Sequence, residues 1–233
     1  NTNFSNSSGI NDPDNYSTVS DILKMSHYLI KEHPKFYEWF AIKEFTWDRT
    51  GGDPITQGNR NPLLYKRVGV DGIKTGYLAV EKYSLASTMK RDQRRLIAVA
   101  SGFQTKNLRS SGSLKILSWG FRNTDTFEIS KKNETIFPVK TWLGKKTDIE
   151  GITKEDVFLT LKKKEARNLK VFLKYNGPIK APISKDQEIA NIEIFVKDNL
   201  IKKVPVYAAE NVNKVNVFKS LFMSLNYLIW GDV

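Results

Sequence analysis

Apolar residues along the chain change their period several times, and each change predicts a different kind of element. After a polar, turn-rich opening, NTNFSNSSGINDPDNYS, the residues Val19, Ile22, Leu23, Leu29 and Ile30 recur at helical spacing and predict a helix over 17–31. Ser17 or Thr18 is placed to cap it, Asp21 suits its first turn, and Pro34 stops it. The aromatic run FYEWFAIKEFTWDRT, 36–50, alternates weakly and predicts extended chain on a core; GGDPITQGNRNP after it reads as loop by composition. Alternation then returns from Val70 to Tyr77, from Tyr83 to Met89 and from Leu96 to Ser101. The last two strands are joined through the polar turn of Lys90 to Arg94 as an antiparallel hairpin. Leu114, Leu117 and Phe121 predict a helix from Leu108 to Phe121 that covers this sheet.

Beyond Phe121 the pattern is a series of short β-type runs, TFEI, TIFPV, VFLTL, LKVFLKY, IEIFV and KVPVYA, separated by turn-forming or charged stretches. They predict a small all-β sandwich or open barrel. The last segment regains helical period: Phe218, Leu221, Phe222, Leu225 and Ile229 share one face. Its uncharged run from Ser220 to Gly231 is 12 residues, whereas crossing a bilayer takes about 20. The expectation is therefore an amphipathic helix lying in a membrane interface, with docking onto protein as the competing reading. The fold class expected is α+β, with domains over 1–124 and 125–211 and an anchor helix over 212–233.

Composition narrows the chemistry. The 233 residues include no cysteine, which excludes disulfides, thiolate metal sites and a cysteine nucleophile. The two histidines, His27 and His33, have no carboxylate or third ligand at metal-like spacing, so no metal and no cofactor is expected. A formal charge of +12 invites a nucleic-acid reading, but no helix-turn-helix, RNP or finger pattern accompanies it. Runs such as Lys162, Lys163 and Lys164, with Asp156 and Glu165 nearby, read as solvated faces, and diffuse charge of this kind suits an anionic surface. No signal peptide is visible at the start, which suggests that the chain begins partway through a longer protein.

The candidate chemistry lies in VDGIKTGYLAVEKYSLAS, 70–87. Lys-Thr-Gly on a strand is one of three motifs of serine acyl-transfer sites. Lys74 offers a fixed ammonium, Thr75 a hydroxyl for a substrate carboxylate, Gly76 a strand position without Cβ, and Tyr77 a backbone N–H facing an oxyanion. Alone the tripeptide is weak, since it arises by chance in roughly one chain of this length in twenty.

The run VDGIKTGY, then YSLAS, RRLIAVASGF, KNLRSSGSLKILSWGF and the β-rich tail with its amphipathic end resemble the low-molecular-mass penicillin-binding proteins, serine-type D-alanyl-D-alanine carboxypeptidases. The resemblance covers essentially the whole chain. It implies part of a transpeptidase-like domain followed by a β-domain, a periplasmic location at the bacterial inner membrane, and removal of the terminal D-alanine from peptidoglycan pentapeptide through a penicillin-sensitive acyl-enzyme. By motif position it assigns Lys74, Thr75 and Gly76 to the third motif, Tyr77 to the oxyanion residue, and Arg109 and Arg60 to the substrate carboxylate. Many members have histidine where Tyr77 stands.

The family also needs Ser-x-x-Lys and Ser-x-Asn upstream of Lys-Thr-Gly, and neither precedes Lys74. Ser87-Thr-Met-Lys90 lies on a predicted strand, where residues three apart face opposite ways, and Ser224-Leu-Asn226 belongs to the terminal helix. The chain is thus expected to be the C-terminal portion of such an enzyme, inactive without an N-terminal portion of the same protein. The competing readings are a β-lactamase-like hydrolase and a non-catalytic, membrane-attached cell-wall binding module.

Overall fold

Helix α1 (Val19–Glu32) begins where Thr18 Oγ1 accepts the Asp21 amide at 3.0 Å. The Asp21 carboxylate in turn receives Lys24 at 3.1 Å and the Thr2 hydroxyl at 3.0 Å. The structure, a computed structural model, describes residues 1–231 and divides into two compact units, Asn1–Asn123 and Thr124–Val233.

In the first unit, α1 is followed directly by α2 (Pro34–Tyr37) and a 3-10 turn over Glu38–Ala41. Residues 36–41 are therefore helical and not extended. Pro34 sits at the first helical position, where its missing N–H costs nothing, and the aromatics recur with helical spacing, so Tyr37 and Phe40 stack inward at 6.2 Å. The predicted loop 51–62 is also corrected. Strands β1 (Glu44–Trp47) and β2 (Ile55–Gly58) form a hairpin, Glu44 opposite Gly58 and Trp47 opposite Ile55, whose burial is too slight to write an alternating pattern.

The central sheet has the order β3 (Val70–Leu78), β4 (Lys82–Arg91), β5 (Arg94–Phe103), all antiparallel. Helix α1 covers one face through Ile22, Leu29 and Ile30, which pack with Tyr37, Ile73 and Ala86. Helix α3 (Lys106–Asn123) covers the other through Leu114, Leu117 and Phe121, against Met89 and Ala98. Two covered faces explain why Leu85 to Met89 reads as a continuous buried run. Ser87, within it, is fully buried and donates to Ala98 O at 3.3 Å, while Lys90 is exposed, so the two form no nucleophile pair.

The second unit is built on β6 (Thr124–Ser130), β7 (Thr135–Trp142), β8 (Asp148–Ile152), β9 (Val157–Lys162), the turn α4 (Lys163–Ala166), β10 (Leu169–Lys174), β11 (Ile179–Lys180), β12 (Glu188–Val196) and β13 (Asn199–Ala208). Six strands form one sheet in the order β10-β12-β13-β8-β7-β11, and β6 pairs with β9. Its core joins Val139, Ile149, Val157, Ile183, Ile192, Ile194 and Val206. Strand β8 went unread because its short segment DIEGI carries two acids and a glycine; Gly151 is there because a Cβ would strike Val206. The fold is α+β, its sheets antiparallel except where the two-residue strand β11 runs parallel to β7.

Helix α5 (Val217–Trp230) is capped by Asn216, whose side chain accepts the Lys219 amide at 2.9 Å, and closed by Gly231 at φ 69°. None of its residues is buried: Phe218 is 86% exposed and Leu228 82%, and Tyr227 meets the Trp142 ring at 5.1 Å. The expected anchor segment also included Asp232 and Val233, which lie outside the described residues.

Candidate active site

Strand β3 carries the Lys-Thr-Gly run along an edge of the sheet, because among the described residues only β4 pairs with it. Lys74 lies opposite Ala86, Thr75 opposite Leu85, Gly76 opposite Ser84 and Tyr77 opposite Tyr83. Alternation points successive side chains to opposite faces. Thr75 is buried, and Lys74 stays open to solvent.

Lys74 and Thr75 line two adjoining hollows. One, of about 770 Å³, is walled by Trp39, Phe45, Trp47 and Arg60. The other, of about 550 Å³, runs between α1 and the sheet past Val19, Met25, Gly76 and Ser84. Lys74 Nζ donates to Thr75 O at 2.7 Å. Loss of hydration in the cleft, then the charges of Arg60 and Arg109, lower the pKa of its ammonium.

Arg60 and Lys74 wall the same hollow, but Arg109 does not line it. Helix α3 presents Arg109 behind the wall, 7% exposed, with its guanidinium 5.6 Å from the centre of the Tyr83 ring and Nη2 donating to Arg60 O at 3.5 Å. Its Nε has no hydrogen-bond partner among the described residues, and loss of hydration lowers its pKa. Arg109, which motif position assigns to the substrate carboxylate, thus lies behind the hollow that Lys74 and Arg60 line. Its charge reaches Lys74, but its side chain is packed under the loop that carries Arg60.

At Gly76 a Cβ would meet Ser84 Oγ on β4, so any side chain there would force that hydroxyl to turn away. The Tyr77 ring lies outward, 57% exposed, tilted against Tyr83 at 4.5 Å. His27 and His33 are exposed, and no cluster of metal-ligating residues occurs among the described residues.

Sequence reading missed the residues that build this wall. Asn59 donates through Nδ2 to Ile42 O at 2.9 Å and accepts the Asn61 amide at 2.9 Å. Asn61, 1% exposed, donates to Gly72 O at 3.0 Å and accepts the Leu63 amide at 3.1 Å. An asparagine directly before Pro62 was the available signal for a cap, hidden in a stretch whose composition says only loop.

Two family models match the chain: D-alanyl-D-alanine carboxypeptidase over residues 1–105, and the C-terminal domain of penicillin-binding protein 5 over 125–214. Among curated proteins, the chain is 32% identical over 188 residues to the D-alanyl-D-alanine carboxypeptidase DacD of Escherichia coli, an alignment covering 80% of this chain and 47% of that protein. It is 34% identical over 197 residues to DacF of Bacillus subtilis, covering 81% and 48%. Among solved structures, penicillin-binding protein 5 from Haemophilus influenzae matches with a TM-score of 0.83 at 29% identity, over 92% of this chain and 62% of that one. Penicillin-binding protein 6B from Escherichia coli matches with 0.58 at 28%, over 83% and 50%. The chain spans about half the length of the curated relatives it matches. With a family model on each unit and curated relatives at 32–34% identity, the chain belongs to the D-alanyl-D-alanine carboxypeptidase family of penicillin-binding proteins.

Proposed function

We propose that this chain supplies the carboxylate-recognition wall of a serine-type D-alanyl-D-alanine carboxypeptidase, which removes the terminal D-alanine of peptidoglycan pentapeptide and is acylated by β-lactams. The observation that carries the reading is the clustering of three cations: Lys74 and Arg60 wall one hollow, and Arg109 packs against the Arg60 carbonyl at 3.5 Å, so that loss of hydration and then the two arginine charges lower the lysine pKa. None of the three is in an ion pair among the described residues. A free peptide carboxylate relieves that repulsion, and Thr75 adds a hydroxyl beside it. Lys74 is also the group that holds serine hydroxyls in register, and the Tyr77 amide is the oxyanion donor. Acylation itself needs a serine nucleophile with its lysine, and no Ser-x-x-Lys precedes Lys74 here.

The test compares a tripeptide ending in D-alanyl-D-alanine with its C-terminal amide by calorimetry. The acid should bind at least about tenfold more tightly, the margin of one charge-assisted hydrogen bond, and Lys74→Ala should shrink the difference. Affinity should fall as pH rises through the lowered Lys74 pKa, because the neutral amine no longer attracts the carboxylate. Equal binding of acid and amide would refute the reading. Penicillin incubated with this chain alone should leave its intact mass unchanged; a stoichiometric adduct would show that a serine within it is the nucleophile.

The same reading locates the protein at the outer side of the bacterial inner membrane. The support is α5, whose apolar side chains are open to solvent, while no helix of the described residues is long and apolar enough to cross a bilayer.

A further inference from the structure

The wall that bears Lys74 and Arg60 is made of two pieces, the edge strand β3 and the loop before it, with Arg109 packed behind the loop. The strand side is fixed on its own account. Arg95 grips Asp71 through two bonds of 2.7 and 2.6 Å, and Tyr37 donates to the same carboxylate at 2.7 Å. Gly72 leaves no space beyond this, since a Cβ there would stand 2.9 Å from the Tyr37 hydroxyl.

The loop side, Asn59-Arg60-Asn61, has no sheet partner of its own beyond the Asn59 amide bond to Lys43 O at 2.6 Å. It is seated by side chains instead. Asn59 ties its start to the turn after α2, with bonds to Phe40 O and Ile42 O. Asn61 ties its end to the strand through the 3.0 Å bond to Gly72 O, two residues before Lys74. Leu63 and Leu64, both buried, anchor the 3-10 turn that Asn61 caps.

We propose that Asn61 is the positioning residue of this site: its carboxamide latches the Arg60 loop to β3 and so sets the separation between the Arg60 and Lys74 cations that a substrate carboxylate bridges. Three features single it out. It is buried, so its bond to Gly72 O is not exchanged for water. It spends its acceptor on the cap and its donor on the strand, two distinct tasks that one substitution can separate. It adjoins Arg60, whose carbonyl also receives Arg109, so movement of the loop displaces both arginines from the lysine.

Asn61→Ser is the informative variant, because serine keeps a cap for the Leu63 amide but is too short to reach Gly72 O. The first measurement is the titration of the Lys74 ammonium by NMR in the intact chain, with no ligand present. In Asn61→Ser the lysine pKa should rise towards its ordinary value as water enters the released cleft and the arginines recede, whereas Leu64→Ala, which loosens the same turn from its buried side, should leave it low. An unchanged Lys74 titration in Asn61→Ser, or an equal rise in Leu64→Ala, overturns the proposal.

The second measurement is affinity for the D-alanyl-D-alanine tripeptide, which rests on the carboxypeptidase reading. Asn61→Ser should weaken it roughly tenfold and shrink the preference for acid over amide. A wild-type chain that shows the expected titration but no preference for the acid keeps Asn61 as the latch and removes the substrate assignment. A preference that survives Asn61→Ser in full overturns the latch.

Discussion

Tyr37, Asp71, Arg95 and Thr88 show what single residues contribute beneath the cleft. Arg95 Nη1 reaches Tyr37 Oη at 3.1 Å and Thr88 Oγ1 at 2.8 Å besides its bonds to Asp71, so one guanidinium joins α2 to all three strands. Loss of hydration, then the bond to Asp71 and its charge, raise the Tyr37 pKa above the ordinary tyrosine value. The unfolded chain releases that proton near pH 10 while the folded chain retains it. Stability from this hydroxyl is therefore complete below about pH 10 and is lost as pH climbs further. In urea titrations the advantage of the wild type over Tyr37→Phe should shrink between pH 9 and 11, both figures being about one unit either side of the reference value. An advantage that stays constant would mean the hydroxyl ionises as freely in the fold as out of it. None of this cluster was legible in the sequence, because its members are 58 positions apart at the extremes and each alone reads as an ordinary surface or core residue.

Elements were legible where local signals agreed. Helix α1 was found because cap, first-turn acid and apolar period coincide, and β3 to β5 because their alternation is bounded by turn formers. The β1–β2 hairpin was not found, since its strands hold four residues each and β2 lies inside a glycine- and asparagine-rich stretch. Helix α5 was found from its period, and its position adds the exposure of Val217, Phe218, Phe222 and Leu228. Deleting 213–233 should abolish co-sedimentation with vesicles containing anionic lipid, and a chain that still pellets after the deletion would place membrane binding elsewhere. Arg109 illustrates the limit of motif position. Its place in the sequence put it near Lys74, but only packing shows that the helix turns it behind the wall.

At the scale of the molecule, the Thr124–Val233 unit has its own core, with Val139, Ile194 and Val206 wholly removed from solvent. Residues 124–233 expressed alone should keep a β-type circular dichroism spectrum and unfold cooperatively, and Ile194→Ala should cost that unit about 2–5 kcal/mol. A fragment that is unstructured would show that its stability depends on the preceding unit. The β-rich half was legible as a class because its strands are short and separated by turn formers, but its strand order rests on long-range pairings such as β8 with β13 that no local pattern encodes.

The uncompensated cations beside Lys74 have a further effect, on time as well as on equilibrium. Embedded in a chain of net charge +12, they extend an attractive field into the surrounding solution over about one Debye length, ~10 Å at 0.1 M salt. An anion is drawn in before it touches anything. In stopped-flow experiments that follow Trp39 and Trp47 fluorescence, added sodium chloride should slow the arrival of a carboxylate ligand far more than it hastens departure.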